Sequence, residues 1–406
     1  MRKLHFPPMT PQRAEALRLA GVQGIFWASM AVGSYQTVYL QNNGFPASQF
    51  GLLNAIACAV AIVSMTFWGM VSDRIGSVRK IVVLTLTLGV LLFALIPLIP
   101  TGQAYSTLLI LIAIPFVNFF RSPMSPFVDN LTVRNCAEHH LNYGTIRSSG
   151  SLLFAIAGIL TSNCLIPAFG ISCTFWVAAL VMIPTIILVF FCCEPQTGGR
   201  AKKSRMGAGE LFRNRRFVTF LVFAFFFYFS TAFESNFLPY LMSEINVDST
   251  NIGLVLSVRA IMELPFLFFS VKLRRRFPLR YLIILAAAIM GIECLLLGFF
   301  VSNLVQFIIF ASFFGLGNGL FFGTATNYIY ELAPVHLRAT AHGLFVSVSQ
   351  IAGILGNLLG GFLFDTLGGK PLYLIAGGVM FFSILVFVLS FLLTRKDEDA
   401  LQTKQA

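Results

Sequence analysis

The chain alternates between long apolar segments and short polar ones. Each apolar segment has the roughly 20 residues that an α-helix needs to cross about 30 Å of hydrocarbon. The segments cover residues 20–40, 48–71, 80–99, 104–128, 143–166, 170–193, 217–242, 249–271, 279–301, 303–330, 340–364 and 371–394. We therefore predict an all-α membrane protein with twelve transmembrane helices.

Basic residues are concentrated in alternate loops between these segments. The basic loops lie around residues 72–80, 134–140, 194–216, 272–280 and 336–342, whereas the loops between them are nearly free of Lys and Arg apart from Lys370. Positively charged loops stay on the cytoplasmic side of a membrane. An even number of spans then predicts that both termini are cytoplasmic, in the inner or plasma membrane of the cell.

The composition argues against a soluble domain. Hydrophobic residues make up 57% of the chain and charged residues 11%, whereas soluble domains carry about 25% charged residues. The net charge of +12 does not indicate nucleic acid as a partner, because the basic residues are dispersed over the loops. His and Cys residues show no metal-ligand spacing and no disulfide framework. A phosphate-binding loop of the form G-x-x-x-x-G-K-[ST] is absent from the sequence. We expect no enzyme activity, no cofactor and no bound metal.

The chain divides at its midpoint. Residues 194–216 form a long polar, basic segment, which predicts a cytoplasmic linker between a half of six helices at residues 1–193 and a second at 217–406. FGLL at 50–53 is matched by IGLV at 252–255, and AGIL occurs at both 157–160 and 352–355. These matches indicate two pseudo-repeated six-helix bundles, as in transporters that bind substrate at mid-membrane between halves.

The loop after the second apolar segment carries the first family resemblance. It contains a Gly, an Asp-Arg pair, a second Gly and a basic pair, namely Gly69, Asp73, Arg74, Gly76, Arg79 and Lys80. This loop resembles the signature loop of the major facilitator superfamily, and the resemblance implies a gating loop. Gly76 also permits a tight turn, and Asp73 can cap a helix end or pair with a cation.

A closer resemblance lies in the fourth and fifth segments. The sequence PFVD at 126–129 and YGTIRSSG at 143–150 resembles the lactose permease-like oligosaccharide–proton symporters. The resemblance implies that Asp129 and Arg147 bind substrate, with Glu263 as a third sugar-binding carboxylate and Phe154 in place of a stacking Trp. The alternative for Asp129 and Arg147 is anchoring at the cytoplasmic interface, where long side chains reach the headgroups.

The sequence also departs from that group. Phe314 and Gly317 stand where the lactose permease has the His and Glu of proton coupling, and Glu293 stands where it has an Arg. The galactoside site is therefore incomplete. The wider symporter group also includes nucleoside and aromatic-acid carriers, and the sequence does not distinguish among these substrate classes.

Acidic residues inside the apolar segments are candidates for proton coupling. Glu234, Glu263 and Glu293 lie within predicted spans, where a central charge costs about 2.5–3.5 kcal/mol and needs a partner or a wet cavity. Arg259 is one helical turn from Glu263, which predicts either a structural or a switchable ion pair. Glu293 has no cation within a turn of its own helix, so we expect it to exchange the proton, with Glu234 in reserve.

Polar residues at membrane depth extend the candidate binding site. Asn318, Tyr35 and Gln36 suit hydroxyl- or amide-bearing ligands, or alternatively hydrogen bonds between helices.

These observations predict a secondary transporter that works by alternating access. We expect a proton-coupled symporter of a small polar solute, such as a sugar or nucleoside, that functions as a monomer in the lipid bilayer. Two alternatives remain: a proton antiporter that exports drugs or amphiphiles, and a permease-like sensor that transports nothing.

Overall fold

The structure is a computed structural model that describes residues 11–100, 105–192 and 208–405. The described residues form helices and short connections, without a β-strand. Ten helical segments among them are long and apolar enough to cross a membrane. The protein is therefore an all-helical, multi-pass membrane protein.

The helices follow the apolar segments of the sequence. They are α1 (Pro11–Val32), α2 (Gln36–Asn42), α3 (Ala47–Ile75), α4 (Val78–Leu95), α5 (Ser106–Arg121), α6 (Met124–Glu138), α7 (Tyr143–Leu160), α8 (Ile166–Phe169), α9 (Cys173–Phe191), α10 (Ala208–Arg213), α11 (Arg215–Asn236), α12 (Leu238–Glu244), α13 (Ile252–Arg276), α14 (Leu279–Phe300), α15 (Leu304–Leu332), α16 (Arg338–Leu367) and α17 (Gly369–Gln405).

Three helices extend well beyond the predicted spans. Helix α1 begins at Pro11 instead of residue 20, α6 ends at Glu138 instead of 128, and α17 continues to Gln405 instead of ending at 394. The apolar segment of the sequence corresponds only to the part of a helix that lies in hydrocarbon. Backbone hydrogen bonds of an α-helix also form between polar residues, so the helix can continue beyond the apolar segment. Span length and helix length therefore differ at these ends.

Four predicted spans are interrupted. A turn of 3₁₀-helix at Gly33–Tyr35 separates α1 from α2, Ser122 and Pro123 separate α5 from α6, a π-helical turn at Thr161–Leu165 separates α7 from α8, and Phe237 separates α11 from α12. Three of these interruptions have a proline within two residues of the break, namely Pro123, Pro167 and Pro239. Proline lacks the backbone N–H that would continue the helix.

Helices pack mainly within two groups. In the first, α1 packs on α7 and α9, and α4 packs on α5 and α9; in the second, α13 and α14 pack on α15, and α11 packs on α16 and α17. One buried apolar cluster lies within residues 19–192 and another within residues 211–387. The two groups contact each other chiefly where α3 meets α16 and where α7 meets α13.

The crossing of α7 and α13 depends on two glycines. A Cβ atom on Gly158 would lie 2.9 Å from the carbonyl oxygen of Gly253, and one on Gly253 would lie 2.6 Å from the carbonyl oxygen of Gly158. Nearby, Ser257 Oγ donates to the carbonyl oxygen of Ala155 at 2.9 Å, and Ser162 Oγ donates to that of Thr250 at 3.1 Å. Side chains larger than hydrogen at either glycine would separate the helices.

A carboxylate links α3 and α16 where the two helices cross. Asp365 accepts hydrogen bonds from the backbone N–H groups of Ala47 at 3.1 Å and Ser48 at 2.9 Å, which are the first residues of α3. A carboxylate at a helix N-terminus accepts hydrogen bonds from the free N–H groups and is attracted to the positive end of the helix dipole. Both crossings lie near the loops at 41–49 and 243–250, which contain no Lys or Arg, so the two groups are closed against each other at this end.

The turn between α3 and α4 has the geometry that its glycine predicted. Gly76 has φ +69° and ends α3, and the Ser77 side chain accepts a hydrogen bond from the Lys80 N–H to begin α4. Arg79 donates to the carbonyl oxygen of Cys192 at 2.9 Å, which joins this loop to the end of α9. Asp73, Arg74 and Lys80 are exposed, and Gly69 lies on the last turns of α3.

The predicted linker lies largely outside the described residues. Of residues 194–216 the structure describes only 208–216, where α10 precedes α11.

Candidate functional site

A cavity of about 360 Å³ lies between the two groups of helices. Helices α1 and α7 form one wall and α11, α13 and α15 the other. The wall residues are Trp27, Arg147, Ser151, Phe154, Ser235, Leu256, Arg259, Ala260, Glu263, Phe314, Gly315, Asn318 and Phe322. Four residues predicted to bind substrate, namely Arg147, Phe154, Glu263 and Asn318, therefore lie around one space.

Arg147 is held by a carboxylate and an indole ring. Its Nε lies 3.8 Å from Asp129 Oδ1, and its guanidinium lies over the Trp27 ring, 4.3 Å from the ring centroid. The Arg147 and Asp129 side chains are 26% and 30% exposed, respectively. A guanidinium on an aromatic face keeps its in-plane N–H groups available for oxygen acceptors. Arg147 is thereby placed to bind a polar ligand in the cavity.

Gln23 connects the two partners of Arg147. Its Nε2 donates to Asp129 Oδ1 and to Thr132 Oγ1, both at 2.9 Å, and its Oε1 accepts from Trp27 Nε1 at 3.1 Å. One amide therefore positions both the carboxylate and the indole. Gln23 and Trp27 were not among the residues predicted from the sequence, although they are four residues apart on one helix face, a spacing that places side chains next to each other.

Glu263 stands on the opposite wall. Its side chain lines the cavity together with Asn318, and its carboxylate lies within electrostatic range of Arg147. Phe154 packs edge-on against Trp27, with ring centroids 6.3 Å apart. The cavity thus combines a cation, a carboxylate, an amide and an aromatic face.

Two of the predicted binding residues lie elsewhere. Tyr35 is completely buried, and its hydroxyl lies 2.5 Å from Ser162 Oγ, at the crossing of α7 and α13. Gln36 begins α2 beyond this crossing. Neither residue lines the cavity, because the 3₁₀ turn at Gly33–Tyr35 places them at the closed end of the protein.

A second charged cluster adjoins the cavity. The guanidinium of Arg259 binds Glu234 and also Glu293 Oε1, the latter at 2.6 Å. Glu234, Arg259 and Glu293 are 1%, 5% and 0% exposed. The three residues come from α11, α13 and α14, and we call them the Glu–Arg–Glu triad.

The triad corrects two expectations. The predicted pair between Arg259 and Glu263 is wrong, because Arg259 binds Glu234 and Glu293 instead. Glu293 also has a cation, which comes from another helix. Spacing along one helix shows which side chains can meet on that helix, but helix packing decides which neighbour binds them.

The triad and the cavity share residues. Arg259 lies over the Phe314 ring, 4.4 Å from its centroid, and both residues line the cavity. Ser235, also in the cavity wall, donates its hydroxyl to Glu234 Oε2 at 2.7 Å. A ligand in the cavity can therefore act on the triad through contacts already present.

The triad contains two carboxylates for one guanidinium. Both carboxylates accept from the same nitrogen, Arg259 Nη2, and Glu293 Oε2 has no hydrogen-bond partner among the described residues. Unpaired charge is costly at this depth. One proton on either carboxylate would neutralise the triad and supply the missing donor.

Comparison with known proteins agrees with this architecture. A family model described as the MFS_1 like family matches residues 17–375. The chain belongs to this family, within the major facilitator superfamily. It is therefore a membrane transporter and not an enzyme.

Two curated relatives extend over most of the transporter's length. The maltose permease of Geobacillus stearothermophilus is 27% identical over 92% of this chain and 93% of its own. The putative nucleoside transporter YegT of Escherichia coli (strain K12) is 22% identical over 85% of this chain and 82% of its own. A solved structure of the nucleoside transporter NupG superposes with a TM-score of 0.75 at 15% identity, covering 94% of this chain and 99% of that one, and shows the common fold.

Proposed function

We propose that this transporter is a proton-coupled symporter of a small polar solute, a sugar or a nucleoside, that works by alternating access. In this proposal it has twelve transmembrane helices in two halves, residues 1–193 and 217–406, connected by residues 194–216. It functions as a monomer with both termini in the cytoplasm. The packing of helices into two groups that are closed at one end supports the two halves and their relative rocking.

The observation that carries the proposal is the composition of the central cavity. Arg147 and Glu263 face it from opposite groups of helices, and a solute with several hydroxyl groups can donate to the carboxylate and accept from the guanidinium. Trp27 offers an aromatic face for a sugar or base. Relatives include a maltose permease and a putative nucleoside transporter, which supports this substrate class.

The Glu–Arg–Glu triad supplies the proton site in this proposal. With one proton the triad is neutral, and without it one carboxylate has an uncompensated charge. A substrate that contacts Arg259 or Ser235 changes the stability of the protonated triad relative to the deprotonated triad. Binding of substrate and proton are then coupled, and the coupling is reciprocal.

Three phenylalanines in the cavity wall, Phe154, Phe314 and Phe322, support export of an amphiphilic compound as the second candidate. Radiolabelled sugars, nucleosides and amphiphiles should be measured in proteoliposomes of defined orientation with an imposed pH gradient. We expect accumulation of a sugar or nucleoside with proton flux in the same direction. Accumulation of amphiphiles against the proton flux would identify an exporter, and no transport of any compound would contradict both proposals.

The orientation of the chain gives a separate prediction. Gly209→Cys, on the exposed face of α10, should react with a membrane-impermeant thiol reagent only after cells are opened. Ser302→Cys, exposed in a loop without basic residues, is the matched position on the opposite side and should react in intact cells. Both substitutions are made in a background without the native cysteines. The reverse labelling pattern would overturn the orientation.

A further inference from the structure

A second cavity, larger than the substrate cavity, lies within residues 216–391. It has a volume of about 840 Å³, and its lining shares no residue with that of the substrate cavity. Its walls are the ends of α13 and α15 and the beginnings of α11, α14 and α16. It opens on the face with the basic loops at 272–280 and 336–342, which the positive-inside pattern assigns to the cytoplasm.

Arginines dominate the wall of this cavity. They are Arg216, Arg274, Arg275, Arg280 and Arg338, and the carboxylate among the lining residues is Glu331. The wall therefore has a formal excess of four positive charges. These arginines come from four separate helices, so the fold gathers their charges at one concave site. Basic residues that only set the orientation in the membrane would not need to lie together at one site.

Local contacts hold two of these arginines in place. The Nε of Arg338 donates to the carbonyl oxygen of Tyr330 at 3.2 Å. The Arg280 guanidinium lies 5.0 Å from the ring centroid of Tyr281 and 5.3 Å from that of Phe391. Ordered guanidinium groups present planar pairs of N–H donors, which fit phosphate oxygens.

One helix N-terminus adds further donors. Helix α14 begins at Leu279 in the cavity wall. No side-chain hydrogen bond caps this helix. The first N–H groups of a helix and its dipole favour an anion at that position. The cavity is thus built to accept an anion with several oxygens.

Apolar side chains also line this cavity. Phe277, Leu279 and Phe391 lie in the same wall as the arginines, and the Phe277 side chain is 49% exposed. A lipid has a phosphate group next to its hydrocarbon chains, so it can contact both the arginines and the apolar side chains. An inorganic anion has no apolar part that could contact these side chains. We propose that this cavity binds a phosphate group, and that its source is the headgroup of an anionic lipid.

The proposal is tested by ligand-induced stabilisation of the purified full-length protein. Anionic phosphatidylglycerol is added to detergent micelles that contain phosphatidylcholine, and sodium pyrophosphate is added in a parallel series without phosphatidylglycerol. We expect phosphatidylglycerol to raise the apparent melting temperature in a saturable manner, because a ligand of the folded state stabilises it. Stabilisation by pyrophosphate alone would support the phosphate site and assign it to a soluble anion.

A matched pair of double variants localises the effect. Arg275→Gln with Arg338→Gln removes two charges from the cavity wall, and Lys272→Gln with Arg276→Gln removes two exposed charges from the same helix end but outside the wall. We expect the first variant to bind phosphatidylglycerol about thirtyfold more weakly and the second to bind as the original chain does.

Two results would overturn the proposal. One is an equal loss of binding in both double variants, which would indicate general surface charge. The other is an original chain that neither phosphatidylglycerol nor pyrophosphate stabilises. All four substituted side chains are exposed, and melting in phosphatidylcholine alone shows whether each variant is folded. Arg275→Gln compared with Arg276→Gln provides the same test with single substitutions.

Discussion

Arg147→Lys is expected to cause a large loss of substrate uptake at low substrate concentration while the protein remains folded in the membrane. Lysine keeps the charge but lacks the planar pair of N–H donors and the flat surface that lies on Trp27. A hydrogen bond to a charged group contributes about 1.5–3 kcal/mol. Loss of one such contact should reduce apparent substrate affinity by about tenfold to a hundredfold. Initial uptake at low substrate concentration, normalised to the amount of protein in the membrane, measures the effect.

Asp129→Asn tests the other side of the same contact. The amide still accepts a hydrogen bond from Gln23 but removes the charge opposite Arg147, so we expect a loss of transport similar to that of Arg147→Lys. Arg276→Lys is the control, because Arg276 is exposed and lies outside the cavity wall. Near-normal transport by both Arg147→Lys and Asp129→Asn would assign Asp129 and Arg147 to anchoring at the interface.

Glu293→Gln is expected to prevent accumulation of substrate against a gradient but to preserve exchange of internal for external substrate. Glutamine imitates the protonated carboxyl group, and it leaves Arg259 with one carboxylate, Glu234, so the buried charges stay balanced. Net uptake requires release of the proton in each cycle, whereas exchange does not. Counterflow and pH-driven uptake in the same proteoliposomes measure the two activities separately.

Two further variants make this result specific. Glu138→Gln is the control, because Glu138 is exposed at the end of α6. Arg259→Gln leaves two buried carboxylates without their cation, and breaking a buried pair in this way costs about 3–5 kcal/mol, so we expect poor folding. If Glu293→Gln accumulates substrate with unchanged pH dependence, Glu293 is a structural acid and the proton site lies elsewhere.

The fold class followed from the sequence because hydrocarbon imposes one dominant rule. Backbone polar groups in a bilayer must be satisfied within the protein, so an apolar segment of sufficient length is a helix. Helices such as α4 and α14 lie where the hydrophobic pattern predicted them. The turn at Gly76 was also predictable, since a positive φ at that position favours glycine. The interruption at Gly33–Tyr35 had no comparable signal, because no residue there prevents an α-helix from continuing.

Only part of the candidate site could be predicted from the sequence. The family resemblance indicated Arg147 and Glu263 as binding residues, and Asn318 was identified as a polar residue at membrane depth. All three line the cavity. Tyr35 has the same character but lies at the closed end between the two groups of helices. A polar residue in an apolar segment shows that it needs a partner, and the sequence does not say whether that partner is a ligand or another helix.

The sequence by itself determined which charges enter the membrane, and the tertiary structure decided which of them meet. Arg259 could reach Glu263 along its own helix, yet it binds Glu234 and Glu293 from two other helices. Helical periodicity defines the neighbours of a residue within one turn, whereas the rotation of each helix about its axis defines its partners across the bundle. That rotation results from the packing of the whole bundle, so the triad became visible only in the folded chain.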